Sequence, residues 1–383
     1  MSKSFLSFLL TLLGLVAATA VVILFAKGYR LNLPTQEIKK TGMLSVKSYP
    51  DGAKIILNGK LTSVTNNAIT SLSPGSYQVK ITKEGFASWE KEVQVFEELV
   101  TEIDALLISL TPKLEPLTNT GIRNPALSSD GTKIAYCDRN SSHPGVYVIN
   151  LAASGPPISL FRTSSQLTVA DTKSTAYSLA EKLSWSPDDS EILIKMNNRG
   201  FFLVSSPGNP SRKDLPLSEE TGVQQEWEEE RLAKRLSFLE IATRKLEIPE
   251  EILRISTNSA TLWSFNQRKF LYRKEREGMV EFHSYNLEDP LPIGEVRDSK
   301  TLTLKADQIE KVAIFWHSDN QHVVLVENSV ISLLEVDGSN QTEVFAGNLN
   351  PKFVFTAPGG DKLVILTSFN PKNDPNLYTV SLR

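Results

Sequence analysis

Residues Phe5 to Ala26 (FLSFLLTLLGLVAATAVVILFA) are apolar apart from Ser7, Thr11 and Thr19, with no charged side chain and no polar face. The stretch is about 22 residues, and about 20 at 1.5 Å rise each span a hydrocarbon core. A cleaved signal would carry a shorter apolar region, roughly 7 to 15 residues, ending at a small-residue site. Ala18-Thr19-Ala20 has that form, but the apolar run continues past it through Val21, Val22, Ile23 and Leu24. The pattern predicts a tail over 1–4, a transmembrane helix over 5–26 whose partner is the lipid bilayer, and a polar linker over 27–42.

Beyond the linker the period changes to two. Leu44, Val46 and Ser48 precede Tyr49-Pro50-Asp51-Gly52-Ala53, then Lys54-Ile55-Ile56-Leu57-Asn58-Gly59-Lys60. Pro presets φ, while Gly and Asn accept positive φ, so Pro-Asp-Gly and Asn-Gly mark turns between strands. Leu72-Ser73-Pro74-Gly75-Ser76-Tyr77-Gln78-Val79-Lys80-Ile81 is a turn followed by another alternating strand, and Gly85-Phe86 and Trp89 lead into Val93 and Val95. The expectation is a small antiparallel β-sandwich over 43–110. The order S-Y-P-D-G-A-K-I-I-L-N-G-K, then L-S-P-G-S-Y-Q-V-K-I, then G-F-A-S-W resembles the PEGA domain, the namesake tetrapeptide appearing as Pro50-Asp51-Gly52-Ala53. The resemblance implies a β-sandwich of envelope and surface proteins without a known catalytic residue. Trp89 is read as packing rather than as a platform for a sugar.

From Leu114 the chain repeats itself. Leu127-Ser128-Ser129-Asp130-Gly131 leads into Ile134-Ala135-Tyr136, and Trp185-Ser186-Pro187-Asp188-Asp189 into Ile192-Leu193-Ile194. Trp263 to Tyr272 and Trp316 to Leu325 follow the same frame, and Phe355 to Ile365 follows it with one residue inserted. Each unit is an aromatic or Leu, a polar turn and an apolar strand, and several are followed by a further strand. Hairpins recurring at roughly 40 to 60 residues are the signature of propeller blades. The pattern resembles the S-P-D-G repeats of TolB-like propellers and of the propeller of prolyl oligopeptidases. The expected fold class is therefore mainly β: an N-terminal transmembrane helix, a PEGA-like sandwich and a propeller over 114–383 with five or six blades. A sixth, degenerate unit has room between Tyr136 and Leu183, and Lys113 to Leu117 is placed to pair with the last strand.

One interval breaks the repeat. Ser218 to Arg254 is dense in Glu, Arg, Lys and Leu, with Trp227, Leu232, Leu236 and Leu239 as a rough apolar stripe and Glu226 to Glu230 near its front. Pro249 with Glu250 and Glu251 suits the first turn of a second helix. A helical hairpin over 218–254 is expected, either capping the propeller or docking a partner.

Charge and chemistry narrow the function. The formal net charge is −3 and the pI near 6.0, so no basic stripe recommends nucleic acid. Cys137 is the only cysteine, which excludes an intrachain disulfide, and it is expected as a buried apolar residue. The prolyl oligopeptidase likeness raises hydrolysis, but no G-x-S-x-G elbow occurs. His143 and His283 lie far apart in sequence, and His317 and His322 lack the H-x-x-x-H spacing of a helical zinc site. Asp188-Asp189 lacks the alternating ligands of a calcium loop. There is no phosphate loop and no dinucleotide fingerprint, so neither catalytic, cofactor nor metal residues are expected. The reading is a non-enzymatic, membrane-anchored binding or scaffolding protein of the cell envelope, with an unidentified envelope protein or glycan as partner. The alternative is an envelope glycan lyase or hydrolase with a site built from propeller loops. Lys27, Arg30, Lys39 and Lys40 follow the span, while Lys3 precedes it, so the positive-inside rule favours a cytoplasmic C-terminus. The envelope character of the modules favours extracytoplasmic display, and that side is the expectation.

Overall fold

The computed structural model describes residues 3–383 other than 27–28, 33–36, 152–164, 198–199, 208–211, 216 and 370–373. The chain divides into two compact units, one of residues 1–107 with 290–296, the other of 108–289 with 297–383.

In the first unit, helix α1 runs Lys3–Ala26, and its described side chains, over 7–23, are all exposed. Among the described residues no helix is long and apolar enough to cross a membrane. The interval expected as linker carries an antiparallel pair instead, Tyr29–Asn32 with Glu37–Lys40. The sandwich that follows has a three-stranded sheet in the order Asn67–Leu72, Gly42–Tyr49, Val100–Leu106. Its second sheet orders Lys60–Val64, Lys54–Leu57, Gly75–Thr82 and Trp89–Val95. Leu44, Val46, Ile55, Val79, Ile81, Ile103 and a buried Trp89 share one core, which the period-two pattern anticipates. The sandwich is not wholly antiparallel: Gly42–Tyr49 and Val100–Leu106 run parallel, from Met43↔Val100 to Tyr49↔Leu106. Asn58 (φ 47) and Gly59 (φ 79) form the tight turn between Leu57 and Lys60 that their sequence announces. The Pro50–Ala53 turn is held by Thr65, whose Oγ1 accepts from the Ala53 amide at 2.9 Å and bonds the buried Ser48 hydroxyl at 2.6 Å.

Among its described residues the second unit forms five four-stranded antiparallel meanders. Blade I is Arg123–Leu127, Lys133–Asp138, Gly145–Asn150 and Ser165–Ala170; blade II is Lys182–Trp185, Glu191–Met196, Gly200–Ser205 and Arg212–Leu215. Blade III is Leu262–Trp263, Lys269–Arg276, Met279–Asn286 and Asp298–Lys305; blade IV is Val312–Trp316, His322–Glu327, Val330–Glu335 and Thr342–Ala346. Blade V takes Leu349–Thr356, Lys362–Thr367 and Asn376–Ser381, and its outer strand is Leu114–Pro116 from the start of the region. Leu114↔Val380 and Pro116↔Tyr378 are antiparallel partners, so the ring is closed by strand exchange at blade V. First strands of successive blades adjoin at I–II, III–IV, IV–V and V–I. Among the described residues, no sixth blade occupies the interval from Tyr136 to Leu183. Its described residues complete blade I and add a 3-10 turn, Tyr177–Leu179.

Apolar side chains from facing sheets fill the junctions. Ala135, Cys137, Val146 and Val148 of blade I pack with Leu183, Trp185, Ile192 and Ile194 of blade II. Burial pushes the Cys137 thiol up to about 12, as its place in this core requires. The Trp185 Nε1 donates to the Ala126 carbonyl of blade I at 2.9 Å, and Trp316 Nε1 repeats the bond to Leu262 of blade III at 2.7 Å. Trp263 departs from this rule. Its Nε1 donates at 3.0 Å to Ser256, at the end of the inserted helices.

Those helices are α2, Leu217–Thr243, and α3, Glu250–Ser256, which starts after Pro249 with Glu250 and Glu251 in its first turn. They form a wedge between blades II and III. Trp227 packs on Leu193, Phe201 and Leu203 of blade II, whereas Leu239 and Ile252 pack on Phe270, Tyr272 and Tyr285 of blade III. Arg231 Nη2 donates to the Trp185 carbonyl at 2.9 Å, and Lys234 Nζ to Pro187 at 3.2 Å. Of the expected stripe, Trp227 and Leu239 are buried, but Leu236 is exposed. The helix turns residues 227, 231, 235 and 239 inward at a spacing of four, so arginines take positions that a hydrophobicity pattern assigns to leucine.

Candidate functional site

The first and second strands of each blade are joined by the same six-residue turn. The residue opening the turn donates its amide to the carbonyl of the sixth, at 2.9 Å in Ser128→Lys133 and His317→His322, with equivalents in Ser186, Ser264 and Ala357. The fourth residue returns its amide to the first and lies at positive φ: Gly131 (73), Asp189 (56), Gln267 (55), Asn320 (60) and Gly360 (63). Left-handed backbone is what favours Gly, Asn and Asp there.

Side chains complete the turns. In blades I to III, Ser128, Ser186 and Ser264 donate Oγ to the third residue, Asp130 at 2.6 Å, Asp188 at 2.6 Å and Asn266 at 2.9 Å. The same Oγ accepts the amide of Lys133, Glu191 or Lys269. Hydrogen bonds from Ser186 and Ser190 hold the Asp188 carboxyl below its ordinary range. The fourth residue reaches the preceding blade: Asp189 accepts from the Ser129 and Asp130 amides at 2.6 and 2.9 Å, and Asn320 from the Asn266 amide at 3.0 Å. Burial raises the Asp189 carboxyl. Phe265 of the blade III turn abuts Gly131 of blade I, 2.9 Å from where a Cβ would stand, so two non-adjacent blades meet at this face.

Blade IV departs from its sisters at the first and sixth positions, where His317 and His322 replace serine and Lys or Glu. The hairpin brings both imidazoles onto the third residue, Asp319. Its Oδ2 lies 3.0 Å from His317 Nδ1 and 2.7 Å from His322 Nδ1. One ligand atom from each of the three lies within 4.8 Å of the others. His317 is 0% exposed and His322 6% exposed, while the Asp319 side chain keeps 30%. Burial pulls the Asp319 carboxyl up, but the two imidazoles outweigh it and hold the acid below its ordinary range. Only the His322 contact has hydrogen-bond geometry. Both ring nitrogens of His317 lack a hydrogen-bond partner.

His317 and His322 lie five apart across a turn, a spacing the helical H-x-x-x-H rule does not describe. A six-residue turn brings its first and sixth residues side by side, so His at both, flanking an Asp, was the available signal. Elsewhere, His283 Nδ1 lies 3.1 Å from Asp298 on blade III, which also accepts from the Tyr272 hydroxyl at 2.9 Å. His143 is separate from both clusters and contacts Ser142.

Residues 41–109 match the PEGA domain.

No curated protein sequence matches the chain. Among solved structures, the chain is similar to a putative TolB from Agrobacterium tumefaciens at 14% identity, over 66% of this chain and 73% of that one, with a TM-score of 0.23. It is similar to TolB from Acinetobacter baumannii at 11% identity, over 80% of this chain and 59% of the other, with a TM-score of 0.23. An oligogalacturonate lyase from Vibrio parahaemolyticus aligns at 9% identity over 72% of this chain and 98% of that one, with a TM-score of 0.30. The propeller fold of the described residues from 114 onward rests on the five meanders and on the pairing of Leu114–Pro116 with Asn376–Ser381.

Proposed function

We propose that the chain is a membrane-tethered, non-catalytic binding or scaffolding protein of the cell envelope, whose propeller presents its surface to a protein or glycan. The employment of the blade acids carries this reading. Asp130, Asp188 and Asp319 bond within their own turns, and Asp189 bonds the turn next to it. On other connections Asp138 accepts the Asn140 and Ser141 amides, and Asp374 pairs with Arg123 and Arg139. A lyase or hydrolase built from blade loops needs acids and bases converging on a substrate, not on their own backbone.

The tether rests on α1. Its described side chains are exposed, Phe8 by 63% and Leu13 by 68%, and no charged residue follows Lys3 within it. A uniformly apolar helix surface of this kind is stable against lipid and not against water. The domains after it are assigned to the extracytoplasmic side.

Crosslinking in intact cells tests the binding role. A partner captured by the full chain and lost on deletion of 114–383 supports it, whereas recovery of the bait alone under several chemistries counts against it. Protease treatment of intact cells tests the side, and a protected propeller would reverse the assignment. Membrane fractionation with and without 1–26 tests the tether.

A further inference from the structure

We propose that the blade IV turn is a transition-metal site in which His317, Asp319 and His322 bind one divalent ion of the zinc class. Imidazole and carboxylate are zinc ligands at about 2.0–2.2 Å, so two ligands of a tetrahedral ion stand roughly 3.3 Å apart. The two imidazole–carboxylate separations, 3.0 and 2.7 Å, would open by about 0.3 and 0.6 Å to that spacing, and all three ligand atoms already lie within 4.8 Å of one another. The three ligands sit on one six-residue hairpin turn, so a single rigid element brings them together.

Hydrogen bonding accounts for only half of this cluster. His322 bonds Asp319, but the fully buried His317 ring meets the same Oδ2 at 3.0 Å without hydrogen-bond geometry, and its Nε2 has no hydrogen-bond partner. Buried polar atoms are almost always satisfied, and ring nitrogens left without a hydrogen bond are costly unless something else engages them. The sister turns show that no structural need calls for it. Ser128, Ser186 and Ser264 satisfy the same position with one hydroxyl and two hydrogen bonds, so the turn folds without a ring there. Blade IV places imidazoles at both positions that flank the acid. Gly360 of blade V leaves room beside the ring: a Cβ there would lie 3.2 Å from His317 Cε1 and 3.9 Å from Nε2. The solvent-facing side of Asp319 leaves the ion a position for water or an exchangeable ligand.

The test uses the full chain in detergent without a polyhistidine tag, exposed to Zn2+ alone and then desalted. Elemental analysis is expected to find about one zinc per chain, with a zinc-dependent rise in melting temperature. The decisive variant is His317→Ser with His322→Lys, which installs the residues of blades I and III and so preserves the turn. It should fold by circular dichroism yet lose both the bound zinc and the shift. His283→Ala, in the other histidine–carboxylate cluster, should retain both. Absence of stoichiometric zinc in the wild type, or its retention in the folded double variant, would overturn the proposal. If the double variant does not fold, His322→Gln, which keeps a polar group, serves instead: loss of zinc from a folded chain supports the site, and retention overturns it.

Discussion

The Trp316 indole donates a hydrogen bond to the Leu262 carbonyl, 2.7 Å away on the preceding blade. The ring is 3% exposed and packs with Leu271, Val323 and Leu325, so one side chain supplies both the apolar filling and the polar register of the III–IV junction. Trp316→Phe keeps most of the filling but leaves a carbonyl without its donor. A loss of about 1–2 kcal/mol is expected, against about 3–5 kcal/mol for Trp316→Ala. Equilibrium denaturation, followed by circular dichroism to avoid the lost fluorophore, measures both.

Asp189 reaches from blade II to two amides of blade I, and its acidity gives this staple a pH signature. Its carboxyl is raised in the folded protein, chiefly by burial, above the unfolded value of about 3.9. A raised folded pKa means the folded state binds the proton more tightly. The linked stability is therefore complete below the unfolded value and is lost as pH rises through the folded one. Compared with Asp189→Asn, the wild type should gain relative stability on acidification through the carboxylate range. A difference that falls with acid would refute this assignment.

Leu239 and Leu236 stand a turn apart on α2, yet the first is 4% exposed and the second 48%. Leu239→Ala should cost about 2–4 kcal/mol through the cavity opened against blade III. Leu236→Ala should stay within about 0.5 kcal/mol of wild type. Equal effects in thermal unfolding would mean that the wedge is seated differently.

Cys137 offers a probe that needs no substitution. Its thiol is buried at the I–II junction and held near 12, so thiolate is scarce at mildly alkaline pH. Alkylation should be negligible in the native protein and stoichiometric in denaturant. Fast native labelling would show that the junction opens.

Much of the architecture was legible because the turns constrain their own composition. Asn58-Gly59 and the residues Gly131, Asp189, Asn320 and Gly360 occupy left-handed backbone, which few side chains tolerate, so the chain advertises where its hairpins bend. The helical wedge was legible from its charge and from Pro249. Its inward face was not, because Arg231 is held by a tertiary bond to the Trp185 carbonyl, and hydropathy carries no record of that partner. The parallel pairing of Gly42–Tyr49 with Val100–Leu106 was hidden for a similar reason: register between distant segments leaves no local pattern. In the His317, Asp319 and His322 cluster the five-residue separation across a turn was legible, but the approach of both rings to Asp319 depends on the hairpin geometry. Aligning the turns of the blades exposes it.

The exchange of Leu114–Pro116 into blade V sets an order of events during synthesis. Leu114 leaves the ribosome early, long before Val380, its cross-strand partner, has been made. Until then the nascent domain is an arc with an unpaired strand at each end, a geometry that invites edge-to-edge association with other chains. Only the arrival of Asn376–Ser381 lets the arc become a ring without such ends. A chain stalled or truncated before that point would lack more than its final strand: it would remain open to its neighbours.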